Sequence, residues 1–304
     1  MAGKTWIHEG LEVSRLRDGH ADLGEVRLHY VEAGEGPLVV LLHGFPEFWF
    51  SWRFQIPALA ASGYRVVAPD MRGYNLSSRP PGVEPYDLDR LAADVRDLIH
   101  ERGARSAFLA GHDWGGLVAW RTAMRHPGEV DRLAILNMPH PRRLLHGLRR
   151  PRQLARSWYV FFFQLPWIPE RVARSGGWRA WRYGFEHDAR AGAFTPLDIA
   201  HYVEAWSRSG AVTAMLNYYR AAFRRSPGTS EQRIGVVRAP TLVIWGERDR
   251  HLGAELAEPD PADVPNLERV VRLTNASHWV HHDEPERVNQ LLLDFFAEPG
   301  SASV

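Results

Sequence analysis

The chain has 304 residues, 45% of them hydrophobic and 24% charged, with no cysteine and a formal net charge of +1. These proportions fit one large globular domain or two modest ones, and they exclude a disordered, collagen-like or coiled-coil chain. The missing cysteines exclude disulfides, thiolate metal sites and cysteine nucleophiles, and no run of roughly 20 apolar residues offers a membrane span. The N-terminal stretch Met1 to Glu9 has no apolar signal-peptide core, so the expected location is cytoplasmic.

In chain order, two alternating stretches around Leu11 to Leu16 and Val26 to Val31 predict an antiparallel edge hairpin. Short apolar runs follow at Leu38–Leu42, Arg65–Ala68, Ala107–Ala110, Leu133–Leu136, Thr241–Trp245 and Leu267–Leu273. Such runs suit strands of a parallel sheet covered on both faces. Amphipathic patterns lie between them, notably Leu88 to Glu101 and Pro285 to Phe296. Strand alternating with helix predicts an open α/β sheet.

The rhythm fails between residues 141 and 232, a stretch rich in Arg, Trp, Phe and Tyr and too long for an ordinary loop. The expected division is a core of residues 1–140 and 233–304 with an inserted helical lid, 141–232. The charge divides in nearly the same way. Residues 141–240 hold 17 basic and 6 acidic side chains, a net +11, against a net −10 for the rest. Because the arginines are interrupted by apolar residues at helical spacing, the expected lid surface is solvated, with no nucleic-acid partner.

The sharpest motif is Gly111-His-Asp-Trp-Gly-Gly116, after one apolar run and before a helical pattern, Leu117 to Arg125. Small residues around one polar residue are what a strand-to-helix elbow requires, since a tight turn has no room beside the exposed side chain. Here the elbow presents Asp113. Asp249, in Trp245-Gly-Glu-Arg-Asp249, and His278, in Ser277-His-Trp279, follow at the ends of later strands. Nucleophile, acid and histidine thus occur in the order such elbows use, with Glu247 a neighbouring alternative for the acid. His278 has the side chain suited to accepting a proton near neutral pH, and Asp249 would hold its ring.

These motifs resemble the α/β-hydrolase fold and, within it, the epoxide hydrolases, from about Trp6 to Phe296. His43-Gly-Phe-Pro46 is similar to that family's oxyanion motif. Tyr159 to Pro166 and Leu216 to Arg220 are similar to the segments carrying its two ring-opening tyrosines. The resemblance implies a cap-containing, cofactor-free detoxifying hydrolase whose partners are a small epoxide and water. It implies Tyr159 and Tyr219 as donors to the epoxide oxygen, with Tyr218 the alternative for the second. It also implies the backbone N–H groups of Phe45 and Trp114 as an oxyanion hole. The chemistry explains the residue types: a carboxylate can displace at saturated carbon, leaving an alkyl ester that His278 and water then hydrolyse.

Trp49 and Trp52 follow the oxyanion motif and either line the pocket, with Trp114, or anchor the next helix. His281 and His282, beside Asp283 and a helix start, read as surface polar residues and not as a metal site. His43 and His112 read as structural. Haloalkane and haloacid dehalogenases use the same Asp nucleophile, but in many haloalkane dehalogenases an Asn follows His-Gly where Phe45 stands here, and they lack the tyrosine pair. Fluoroacetate dehalogenases bind carboxylate through Arg near the nucleophile, where this chain has Trp114 and Leu117. A non-catalytic ligand-binding protein on the same fold is the remaining alternative, against which the Asp113, Asp249 and His278 set argues.

Overall fold

The computed structural model describes residues 16–223 and 234–297. Its strands are β1 (Arg17–Asp22), β2 (Arg27–Ala33), β3 (Leu38–Leu42), β4 (Arg65–Pro69), β5 (Ala107–His112), β6 (Val130–Leu136), β7 (Thr241–Gly246) and β8 (Leu267–Leu273). They form one sheet in the order β1-β2-β4-β3-β5-β6-β7-β8. β1 and β2 pair antiparallel with each other, as do β2 and β4, and every later pair is parallel.

The six apolar runs are all strands, and the central ones are buried along their length because helices cover both faces. An antiparallel edge hairpin is present. β1 is Arg17–Asp22, a polar and mostly exposed segment held by pairing with β2; the expected strand from Leu11 falls almost wholly outside the described residues.

The core helices are α1 (Gln55–Ala61), α2 (Leu88–Glu101) and α3 (Trp114–Arg125). Between β6 and β7 come only helices among the described residues: α4 (Pro141–Leu148), α5 (Pro151–Arg156), α6 (Trp158–Phe162), α7 (Ile168–Arg174), α8 (Arg179–Tyr183), α9 (Pro196–Trp206) and α10 (Ala211–Phe223). The expected end of the lid at residue 232 lies outside the described residues. After β8 follow α11 (Val280–Asp283) and α12 (Pro285–Ala297), whose Val288, Leu291, Leu292, Phe295 and Phe296 are buried as their spacing predicts. No helix among the described residues is long and apolar enough to cross a membrane.

The helical segment is fastened over the carboxyl ends of the strands by side chains reaching backbone carbonyls. The Tyr218 hydroxyl donates to the Arg72 carbonyl at 2.7 Å, Asn217 Nδ2 to Gly82 at 2.7 Å, and Gln153 Nε2 to His251 at 2.7 Å. The Trp206 indole N–H donates to the carbonyl of Pro46, the last residue of the His43–Pro46 motif.

At the carboxyl end of β5 the chain turns directly into α3. A Cβ on Gly115 would stand 2.1 Å from the Leu42 carbonyl oxygen and 2.5 Å from that of His43, both backbone atoms of the neighbouring turn. The elbow can fold only because that atom is missing. Gly115→Ala is therefore expected to destabilise the protein by about 1–3 kcal/mol, the usual range for forced overpacking, as read from the urea midpoint at unchanged m-value.

Candidate active site

Asp113 is the turning residue of the elbow, with φ 48° and ψ −121°. A non-glycine residue seldom occupies this part of backbone space, and such conformations persist where the surroundings over-determine them. Gly111, Gly115 and Gly116 leave the space, and Gly44 lets the loop after β3 approach: its Cβ would meet the Asp113 Cβ at 2.6 Å. That approach brings the Phe45 N–H to Asp113 Oδ1 at 2.8 Å.

The other oxygen, Oδ2, faces His278 Nε2 at 3.5 Å. Across the ring, His278 Nδ1 is 2.7 Å from Asp249 Oδ2. The sequence-predicted nucleophile, histidine and acid therefore stand in one line at the ends of β5, β8 and β7. Glu247 does not join them; its carboxylate lies 3.6 Å from Arg272 Nη1.

Asp249 is held by more than histidine. Its Oδ1 accepts from the backbone N–H groups of His251 at 2.7 Å and Leu252 at 2.8 Å, and its Oδ2 from Asn137 Nδ2 at 2.8 Å. Asn137 is itself in the left-handed region, φ 42°, and its Oδ1 accepts from the Gly246 N–H at 2.8 Å. Sequence reading missed this residue. Its one signal is an asparagine directly after a buried strand, where a side chain tolerant of positive φ ends the run.

The charges are strongly coupled. Burial works to raise the Asp249 carboxyl, but the charge of His278 and its hydrogen bond outweigh that and hold it at about 2. Burial likewise opposes ionisation of Asp113, and the bond and charge of His278, with help from the Phe45 N–H, bring it below its ordinary value. Burial should depress His278; the two carboxylates instead raise it well above 6.5. Both carboxylates thus favour the protonated form of the ring.

Tyr159, on α6, and Tyr219, on α10, meet over this line with ring centroids 6.0 Å apart. Tyr219 packs edge-on against Phe45 at 5.1 Å and Trp114 at 4.9 Å. Both phenols are pushed far above 10, first by burial and then by the nearby Asp113 carboxylate. Both environments therefore favour the neutral phenol. Tyr218 is turned away, its hydroxyl committed to the Arg72 carbonyl.

Trp114 lies beside the tyrosines. Trp49 is fully buried, packs against Phe48 and Phe50, and its backbone N–H donates to Asp70 Oδ1. Trp52 is also buried, packed on His281.

The reading of His281 and His282 as surface residues is corrected. Both are buried, with Glu47 beneath the site. Glu47 Oε2 lies 2.9 Å from His112 Nδ1, and Oε1 lies 3.1 Å from His282 Nε2. His112 Nε2 reaches the His278 carbonyl at 2.9 Å, so this network ties the loop after β3 to the backbone of the proposed base.

Glu47, His281 and His282 come within 4.8 Å of one another, close enough for a cation. The hydrogen bonds argue against one. Arg53 Nη1 lies 2.9 Å from His282 Nδ1 and can only donate, so the ring proton sits on Nε2 and points at Glu47. A ligating Nε2 would have no lone pair left to offer.

A sheet of this order, with an acid at the turn from β5 into α3, has the architecture of an α/β-hydrolase. The alpha/beta hydrolase fold family matches residues 37–285. Human epoxide hydrolase 4 is 40% identical over 281 residues, 90% of this chain and 76% of its own. An AB hydrolase superfamily protein of Bacillus subtilis, YfhM, is 41% identical over 277 residues, 89% of this chain and 94% of its own. The crystal structure of Bacillus megaterium epoxide hydrolase with an inhibitor superposes with a TM-score of 0.83 at 33% identity, covering 92% of this chain and all of that one. The chain belongs to the α/β-hydrolase fold family and, within it, to the epoxide hydrolases.

The depressed Asp249 carboxyl has a consequence for stability. With its value at about 2 in the folded protein against an ordinary 3.8, the ion contributes stability present above about pH 4 and lost as the pH falls toward 2. A shift of that size corresponds to about 2 kcal/mol. In Asp249→Asn that part of the acid-limb slope should be absent, as urea unfolding from pH 2 to pH 5 will report.

Proposed function

We propose that the enzyme hydrolyses an epoxide to a vicinal diol through an alkyl ester on Asp113, under a lid formed by the helices between β6 and β7. The observation that carries this reading is a buried carboxylate faced by two neutral phenols, Tyr159 and Tyr219. A carbonyl substrate would need no such pair. An epoxide does, because displacement at its carbon releases an alkoxide.

Oδ1 of Asp113 is already held by the Phe45 N–H, so Oδ2 is the oxygen free to attack. A bond forms from Oδ2 to the epoxide carbon as the ring C–O bond breaks. The alkoxide takes a proton from Tyr159 or Tyr219. Oδ1 becomes the ester carbonyl, already in place against its donor. When water attacks that carbonyl, the oxyanion grows at Oδ1 against the N–H groups of Phe45 and Trp114. Losing one such donor typically costs about 100- to 1,000-fold in rate.

His278 changes role between the steps. Two carboxylates keep it protonated at rest. Alkylation turns Asp113 into a neutral ester, removes one of those charges and lowers the proton affinity of the ring. The ring then passes its proton back to the phenolate, restoring the tyrosine, and can serve as base toward water, while Asp249 stabilises the imidazolium that re-forms. That imidazolium protonates the departing diol oxygen. The second water proton returns the ring to its protonated resting form as the Asp113 carboxylic acid ionises.

Single-turnover hydrolysis of a styrene-oxide-like substrate in heavy-oxygen water tests the ester. The first diol should carry unlabelled oxygen from Asp113, with the label found in the protein; label in that first diol overturns the reading. For the phenols, Tyr159→Phe/Tyr219→Phe should nearly abolish formation of the ester in rapid-quench experiments while the fold persists by circular dichroism. Full activity of that variant, or halide release from haloalkanes without epoxide turnover, would favour a dehalogenase.

A further inference from the structure

The outer face of the lid is neither polar nor neutral. From α5 into α6 and the turn beyond, Leu154, Trp158, Phe161 and Leu165 follow at steps of four, three and four residues, the spacing of one helix face. This face is opposite Tyr159 and Phe163, which pack on Tyr219. An apolar stripe at helical spacing ordinarily faces the core. Here Trp158 is 62% exposed, Phe161 45%, and the neighbouring Trp167 58%. Scattered apolar residues on a surface need no explanation, but an aligned set does.

The same segment is strongly basic. Residues 149–182 contain eight arginines and one carboxylate, Glu170. Glu170 is buried and closed on Arg220, Oε1 to Nη1 at 2.8 Å. The one carboxylate of the segment is therefore already spent, and just beyond it Glu186 pairs with Arg182, Oε1 to Nη2 at 2.8 Å. Arg171 carries its guanidinium 4.7 Å over the Trp167 ring, joining the charge to the aromatic face.

We propose that this face of the lid docks on an anionic phospholipid surface. The Trp, Phe and Leu side chains would enter the boundary between headgroups and acyl chains, with the arginines at the level of the lipid phosphates. Indole rings suit that depth because one edge is apolar and the other can reach water. Two copies of the chain are poorer occupants, since a two-fold contact brings the same arginines together and like charges repel. A nucleic acid would answer the charge but has no use for Leu154 and Leu165. The attachment is peripheral and independent of the chemistry at Asp113.

The test is co-sedimentation of the full chain with phosphatidylcholine vesicles, with and without phosphatidylglycerol. Binding to the anionic vesicles should be stronger than to the neutral ones by about tenfold or more and should fall as salt rises. Trp158→Ser/Trp167→Ser should weaken it by about tenfold or more, and Arg150→Glu/Arg152→Glu should remove the anionic preference. All four side chains are exposed, so the melting temperature is expected to hold. Absence of binding at low salt, equal binding to both vesicles, or binding unchanged in both variants overturns the proposal. So does a dimer or a nucleic-acid complex that those substitutions abolish while vesicles remain unbound.

Discussion

The left-handed backbone of Asp113 is the constraint on which the rest of the site depends. A residue at φ 48° is expensive, so everything near it is arranged to leave no alternative. Three glycines clear the inside of the turn, and a fourth, Gly44, lets the loop after β3 press against the Asp113 side chain. The benefit is directional. One carboxylate oxygen meets a backbone donor and the other meets a histidine, a division that a relaxed turn would not impose.

The second level of organisation is electrostatic. Two buried carboxylates flank one imidazole, and each of the three would be unfavourable alone in that environment. Together they are self-consistent, with Asn137 and two backbone N–H groups consuming the remaining acceptor capacity of Asp249. Asp249 is thus fixed while Asp113 has one oxygen uncommitted to backbone. Of the two, Asp249 has more donors, and Asp113, the acid proposed to react, has fewer.

The sheet was legible from sequence because its strands are continuous apolar runs, and β1 was not because Arg17–Asp22 carries no such signal and owes its form to its neighbour. Asp113, Asp249 and His278 were readable because each stands where a strand ends, and strand ends on one edge of a parallel sheet are close in space. Contacts across elements were not readable. Nothing in the pair Tyr218-Tyr219 reveals which hydroxyl is spent on the Arg72 carbonyl. Likewise, His281 and His282 look like surface residues until Glu47 and Arg53, more than 200 positions earlier, are seen beside them.

The helix α6 draws these levels together. At five residues it has no interior, so each of its side chains faces either the site or the outside. Its inward face is fixed by Tyr159 and Phe163 packing on Tyr219, which itself rests on Phe45 and Trp114 at the elbow. A phenol on so short an element keeps its position only through that packing, because the backbone of a single turn confers little rigidity. The aromatic density of the lid, which as composition merely marked a foreign segment, therefore has a mechanical reading. It is the means by which helices too short to be stable alone hold two phenols against a carboxylate on another part of the chain.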